Sequence, residues 1–278
     1  MPIDCLDTMA ASIDAKGWQV SDLPPLAVVD GQSVNVSGIV DAVTKIENRL
    51  SLPSSFMVCT VNLDHLVKRR RDPGFFRAYQ KAEIACADGF PIAALARLDG
   101  VAIKRAAGSD LVLPLCDRSA KRGLPVFLVG PTFRTLCLSA RRLVSTCPGL
   151  EICGVYAPPE RLEIHSEEAD EAIALIRGSG ARICFVALGA PLQEMFAARA
   201  IGETSGVAFL GVGGGLDFLA GTQTRCPRWL RRVYLEWAWR LMLSPRRLGV
   251  RYLRCAMLLL VLLLKTGIHR RPLAVAGQ

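Results

Sequence analysis

Short apolar runs alternate with helical stretches through most of this chain. The alternation is most regular between positions 126 and 212. Strands are expected at Val126–Val129, Glu151–Val155, Ile183–Leu188 and Val207–Val212, separated by helices at Thr132–Thr146, Ser166–Arg177 and Leu192–Ala200. Continuous apolar strands joined by amphipathic helices mean βαβ crossovers, hence an α/β fold with a parallel sheet covered by helices on its faces. Upstream, Leu26–Val29 reads as a short strand, and Ser33 as the cap of a helix carrying Val36, Ile39, Val40, Val43, Ile46 and Leu50. Buried strands Phe56–Val61 and Ile84–Ala87 follow, with the basic run Lys68–Arg71 on a short helix between them. Helices are then expected near Pro91–Leu98 and Ser109–Arg122, the latter started by Ser109 and Asp110.

The pattern changes near residues 222–228, which divides the chain into an N-terminal tail (1–25), an α/β domain (26–224) and a helical C-terminal appendage (225–278). In the appendage, Trp229–Leu243 is compatible with a helix, Pro245 interrupts it, and Arg246–Leu264 resumes it. The stretch Cys255–Leu264 is apolar on all sides for ten residues. That is about 15 Å of helix, roughly half a bilayer core. Basic residues flank it at both ends, so it reads as a segment dipping into one leaflet, with a core or dimer helix as the alternative. A homo-oligomer therefore stays open.

Charge sharpens the division. The net charge is +9, yet residues 225–271 alone hold twelve lysines and arginines against one acid, Glu236, and the remainder is slightly acidic. Such a local excess suits anionic lipid or a diphosphate better than nucleic acid, which asks for a basic stripe along a groove. Trp229, Trp237 and Trp239 among these arginines favour a membrane interface or sugar stacking. No apolar run is long enough to span a bilayer, although hydrophobic residues make up 51% and mean hydropathy is +0.31. The N-terminus carries Asp4, Asp7 and Asp14 and no basic region, so no secretory signal is read and a cytoplasmic protein is expected. The ten cysteines occur singly, and His65, His165 and His269 lie far apart, so no disulfide framework and no metal site are expected.

Ligands of parallel sheets bind at the carboxyl ends of strands. Four such ends are chemically loaded here: Thr60-Val61-Asn62, Asp88-Gly89, Gly189-Ala190-Pro191-Leu192-Gln193-Glu194, and Gly213-Gly214-Gly215-Leu216-Asp217. Singly, each also has a plain structural reading as a turn, a helix start or a buried strand end. Together they suggest one polar rim. The three consecutive glycines would let backbone N–H groups approach a phosphate. A dinucleotide fingerprint is not met, because Leu216 stands where its third glycine belongs. No cofactor is expected.

At these residues the sequence resembles the WecG/TagA/CpsF glycosyltransferases of bacterial envelope polysaccharide and teichoic-acid synthesis. The resemblance rests on T-x-N (Thr60, Asn62), A-D-G-x-P (Ala87–Pro91), the G-S-D-L start at Gly108, G-A-P-x-Q-E (Gly189–Glu194) and the long segment from Val212 to Arg247, and it covers residues 26–253. It implies a Rossmann-like fold with a mobile appendage that completes the site. It further implies a metal-independent, inverting transfer from a UDP-sugar to a polyprenyl-diphosphate-linked acceptor at the cytoplasmic membrane leaflet. Carried over, Asp88 is the general base, and Thr60 and Asn62 line its pocket. Gln193 and Glu194 would lie near the nucleotide sugar, and Arg240 and Arg247 would neutralise the departing diphosphate. Gly189, Pro191, Gly213, Gly214, Asp217, Arg225 and Arg251 are the further substrate-binding candidates. The sequence departs from the family at Val155-Tyr156-Ala157-Pro158-Pro159 and at Val250, which takes the usual slot of the last arginine while Arg251 follows it. Two rivals stay open: the same catalyst with a glucose-type donor in place of an N-acetylmannosamine type, and a non-catalytic, basic membrane-docking protein that keeps the fold.

Overall fold

The computed structural model describes residues 24–159, 162–223, 226–227 and 236–269. Its centre is a six-stranded sheet built from β3 (Phe56–Val61), β4 (Ala82–Ala87), β5 (Val126–Val129), β6 (Ile152–Tyr156), β7 (Ile183–Val186) and β8 (Ala208–Gly211). The order across the sheet is β4-β3-β8-β7-β5-β6, and every neighbouring pair is parallel. The expected α/β fold is observed. Strands β3, β5, β7 and β8 are buried along their whole length, which is why they read as unbroken apolar runs.

Helices cover both faces. On one face lie α2 (Leu63–Arg69), α3 (Pro73–Gln80), α4 (Phe90–Leu98), α7 (Glu167–Gly178) and α8 (Leu192–Ala200), which contribute Leu66, Phe75, Ile92, Ile173 and Phe196 to one core. On the other lie α1 (Ile39–Arg49), α5 (Gly108–Arg122), α6 (Phe133–Thr146) and α9 (Gly215–Ala220), contributing Ile46, Leu115, Leu136 and Leu216 to the second.

The first strands differ from expectation. Ser33 does not cap a helix; it lies in β2 (Gln32–Val34), paired antiparallel with β1 (Ala27–Val29). The reversal is made by Asp30 and Gly31, both at positive φ, a geometry that Asp-Gly adopts readily in two-residue hairpins. Helix α1 therefore begins later, after Gly38. Helix α3 was not expected either. Asp72 caps it by accepting from the Phe75 N–H, and Pro73 occupies the first turn, where a missing N–H costs nothing.

Two helices of the appendage are described, α10 (Glu236–Leu243) and α11 (Pro245–His269). The expected break at Pro245 is observed: α10 ends at Leu243, and Pro245 opens α11. Leu248, Cys255, Leu258 and Leu262 are buried, with α11 packed on α2 and α4. Val250, Leu253, Met257, Leu260 and Leu264 are exposed. The two sets repeat at the same three- and four-residue spacing, offset by two positions, which places them on opposite sides of the helix. This explains why Cys255–Leu264 looks apolar all round: one stripe packs on the protein and the other faces out. No helix among the described residues is long and apolar enough to cross a membrane.

Candidate functional site

The helix after β3 leaves toward one face of the sheet and the helix after β8 toward the other, although the two strands are neighbours. Such a divergence opens a crevice at the carboxyl ends, where α/β proteins bind ligands. The four loaded strand ends meet around it.

Asp88 stands at the end of β4. Its N–H donates to the Val61 carbonyl at 2.8 Å, which ties it to the adjacent β3 terminus. Asn62 Nδ2 approaches its carboxylate at 3.4 Å, while Asn62 Oδ1 caps α2 by accepting from the His65 N–H at 2.9 Å. One amide thus starts a helix and orients a carboxylate. The Asp88 side chain is 28% exposed, so it is reachable from solvent. Arg105 lies 3.8 Å from it and 3.0 Å from Asp110 in the first turn of α5. Sequence reasoning missed Arg105; its only signal was its place just ahead of the Gly108 motif.

Thr60 is buried one pleat back from the rim. Its carbonyl oxygen accepts from the Tyr79 hydroxyl at 2.8 Å, with His65 Nδ1 at the same distance from that oxygen. Burial pushes the His65 imidazole down to about 4, so it is neutral at pH 7 and serves as a fixed polar brace for the β3 end.

After β7, Gly189-Ala190-Pro191 forms the loop into α8, held by Lys68 Nζ donating to the Ala190 carbonyl at 2.7 Å. Gln193 and Glu194 lie beneath the surface, 3% and 1% exposed. Gln193 Nε2 donates to Glu194 Oε1 at 2.7 Å, which fixes the amide so that its Oε1 accepts from the Gly213 N–H at 3.1 Å. This pair therefore shapes the glycine turn from behind. Burial raises the Glu194 carboxyl to about 7, against the lowering effect of the Gln193 hydrogen bond. Past the turn, Gly213 and Gly214 lead to Asp217, whose Oδ1 accepts from the Thr222 hydroxyl at 3.1 Å and whose carboxyl is raised by burial. The far wall is α5: a Cβ on Gly108 would lie 2.5 Å from the Gly211 carbonyl oxygen, so only glycine permits this approach.

Of the four expected appendage arginines, Arg251 is placed. Its Nε lies 2.9 Å from Asp64 Oδ1, and Lys68 Nζ lies 2.9 Å from Oδ2 of the same carboxylate. Arg251 thus joins α11 to the first turn of α2, beside Asn62. Arg225 lies outside the described residues, and so do the side chains of Arg240 and Arg247, whose backbone belongs to α10 and α11.

The model of the glycosyl transferase WecG/TagA/CpsF family matches residues 28–272, from β1 through the whole of α11. With a match spanning most of the chain, this protein belongs to the WecG/TagA/CpsF family of glycosyltransferases.

Proposed function

We propose that this glycosyltransferase moves a hexose or N-acetylhexosamine from a UDP-sugar to a hydroxyl of a polyprenyl-diphosphate-linked acceptor, with inversion and without a metal ion. The observation that carries the reading is Asp88, a solvent-reachable carboxylate oriented by Asn62 at the mouth of the crevice. In the reaction, Asp88 takes the proton of the acceptor hydroxyl. The freed oxygen attacks the anomeric carbon from the face opposite the nucleotide, the bond from that carbon to the phosphate oxygen breaks, and UDP departs with the bonding pair. The negative charge that develops on the departing diphosphate requires cations placed in advance. Arg240 and Arg247 are proposed for that task, with Arg225 nearby in sequence. The glycine turn, set by Gln193, supports a role in holding the donor. Thr60 stiffens the β3 end.

The acceptor is a lipid, and α11 presents an outward apolar stripe bordered by exposed Arg246, Arg254 and Lys265. This supports peripheral attachment to an anionic leaflet through the appendage. The test is release of UDP from a panel of UDP-sugars, with a short polyprenyl-diphosphate sugar as acceptor. Acceptor-dependent release for one donor supports the assignment. Release that ignores the acceptor, or its absence from every donor, overturns it.

A further inference from the structure

A second polar cavity, of about 300 Å³, opens away from the rim and is lined by Asp30, Leu66, Arg69, Arg70 and Phe76. Arg69 lies in the last turn of α2, seven residues and about 10 Å of helix beyond the Asn62 cap. Its guanidinium sits over the Phe76 ring at 5.1 Å and the Tyr79 ring at 5.9 Å. These contacts hold the cation against two aromatic rings. Its Nε and Nη1 are buried without a hydrogen-bond partner among the described residues. The nearby carboxylate does not serve them, because both oxygens of Asp30 are taken by Arg70, Nε at 2.9 Å and Nη2 at 2.5 Å. Leaving buried donors unmet is costly, and in-plane guanidinium N–H groups are the donors that phosphate oxygens accept best. With two cations against one carboxylate, the cavity is net positive.

We propose that Arg69, with Arg70 and the Asp30 turn, forms a phosphate-binding site separate from the catalytic crevice. The phosphate is either a soluble monoanion or dianion, or the headgroup of an anionic lipid. Because the two rings already flank Arg69, little side-chain freedom is lost on binding.

The test follows the Arg69 Nε–H resonance by NMR, assigned by its loss in Arg69→Gln. Full-length protein is titrated in one arm with inorganic phosphate against chloride at matched ionic strength, and in the other with phosphatidylglycerol vesicles against phosphatidylcholine vesicles. A saturable shift with phosphate identifies a soluble anion. A shift confined to phosphatidylglycerol identifies a headgroup. Asp30→Asn provides the second variant, since Asn-Gly keeps the hairpin turn while the substitution removes the negative charge and frees Arg70. It should tighten phosphate about threefold or more. An Arg69 resonance unmoved by either probe, or an Asp30→Asn variant that binds more weakly than the parent, overturns the proposal.

Discussion

Arg251 Nε of α11 lies 2.9 Å from Asp64 Oδ1 of α2, two residues beyond the Asn62 that orients Asp88. The pair links the appendage to the crevice by a short path, since Lys68 connects Asp64 to the Ala190 carbonyl of the loop between β7 and α8. Arg251 is partly exposed, so the pair itself is worth about 1 kcal/mol at most. Arg251→Ala should lower Tm by about 2–4 °C. It should also speed proteolysis within α11, Pro245–His269. In a double-mutant cycle with Asp64→Ala, the two changes together should cost less than the sum of each alone, because the contact they share is lost only once, while the Lys68 pair is lost with Asp64 alone. Additive losses would mean that the two residues act separately.

Asp88→Asn keeps the shape of the side chain beside Asn62 but removes the carboxylate proposed as the base. Turnover should fall at least about 100-fold. Melting temperature and vesicle binding should stay near those of the parent. Arg105→Gln is a companion change that leaves the carboxylate in place while removing the cation beside it. It should reduce turnover less than Asp88→Asn does. Near-parental rates for Asp88→Asn would remove the carboxylate from the mechanism.

Much of the fold was legible because the buried strands are continuous apolar runs and the helices between them are amphipathic. Val126–Val129 and Leu192–Ala200 were located to the residue for that reason. What escaped has physical causes. Strands β1 and β2 have three residues each, too few for alternation to register, and only Asp30-Gly31 signals their turn. Gln193-Glu194 reads as a helix start or a ligand contact, because sequence cannot show that two buried polar side chains satisfy each other. Arg105 is seventeen positions from Asp88 and reaches it only through the path of the chain between β4 and α5. The motif residues themselves were legible as a group at the strand ends, whereas the division between those touching the crevice and those bracing it was not.

Glu194 makes stability depend on pH. Its carboxyl is raised from an ordinary value of 4.5 to about 7, chiefly by burial, so between these values the folded state holds a proton that the unfolded state releases. Stability contributed by the neutral form is therefore complete below about pH 4.5 and is lost as pH rises toward 7, by about 3 kcal/mol in all. Glu194→Gln imitates the neutral acid and cannot ionise. Urea unfolding from pH 5 to 8 should show the variant gaining on the parent as pH rises, and a constant difference across that range would refute the buried acid.

Gly108→Ala tests the far wall. The added methyl would sit 2.5 Å from the Gly211 carbonyl oxygen and 3.2 Å from Val212 Cα, both backbone atoms that cannot rotate aside. Helix α5 must therefore retreat from the β8 terminus, at a cost of about 1–3 kcal/mol. Because the Gly213 turn follows directly, turnover should fall by more than the loss of stability explains at a temperature where the variant is fully folded.

The two stripes of α11 make opposite predictions. Leu258 and Leu262 are buried against the core, so Leu258→Ala or Leu262→Ala should destabilise the protein by about 2–4 kcal/mol. Leu253, Met257 and Leu260 are about 60% exposed and contribute little to that core. Replacing all three with Gln should leave Tm unchanged or slightly raised. If the outward stripe enters lipid, the same triple change should weaken binding to phosphatidylglycerol vesicles by tenfold or more, because each buried methylene is worth about 0.8 kcal/mol. Acceptor-dependent transfer should fall with it, while any release of UDP to water, which needs no lipid, should not. Vesicle binding that survives the triple change would place the attachment elsewhere on the chain.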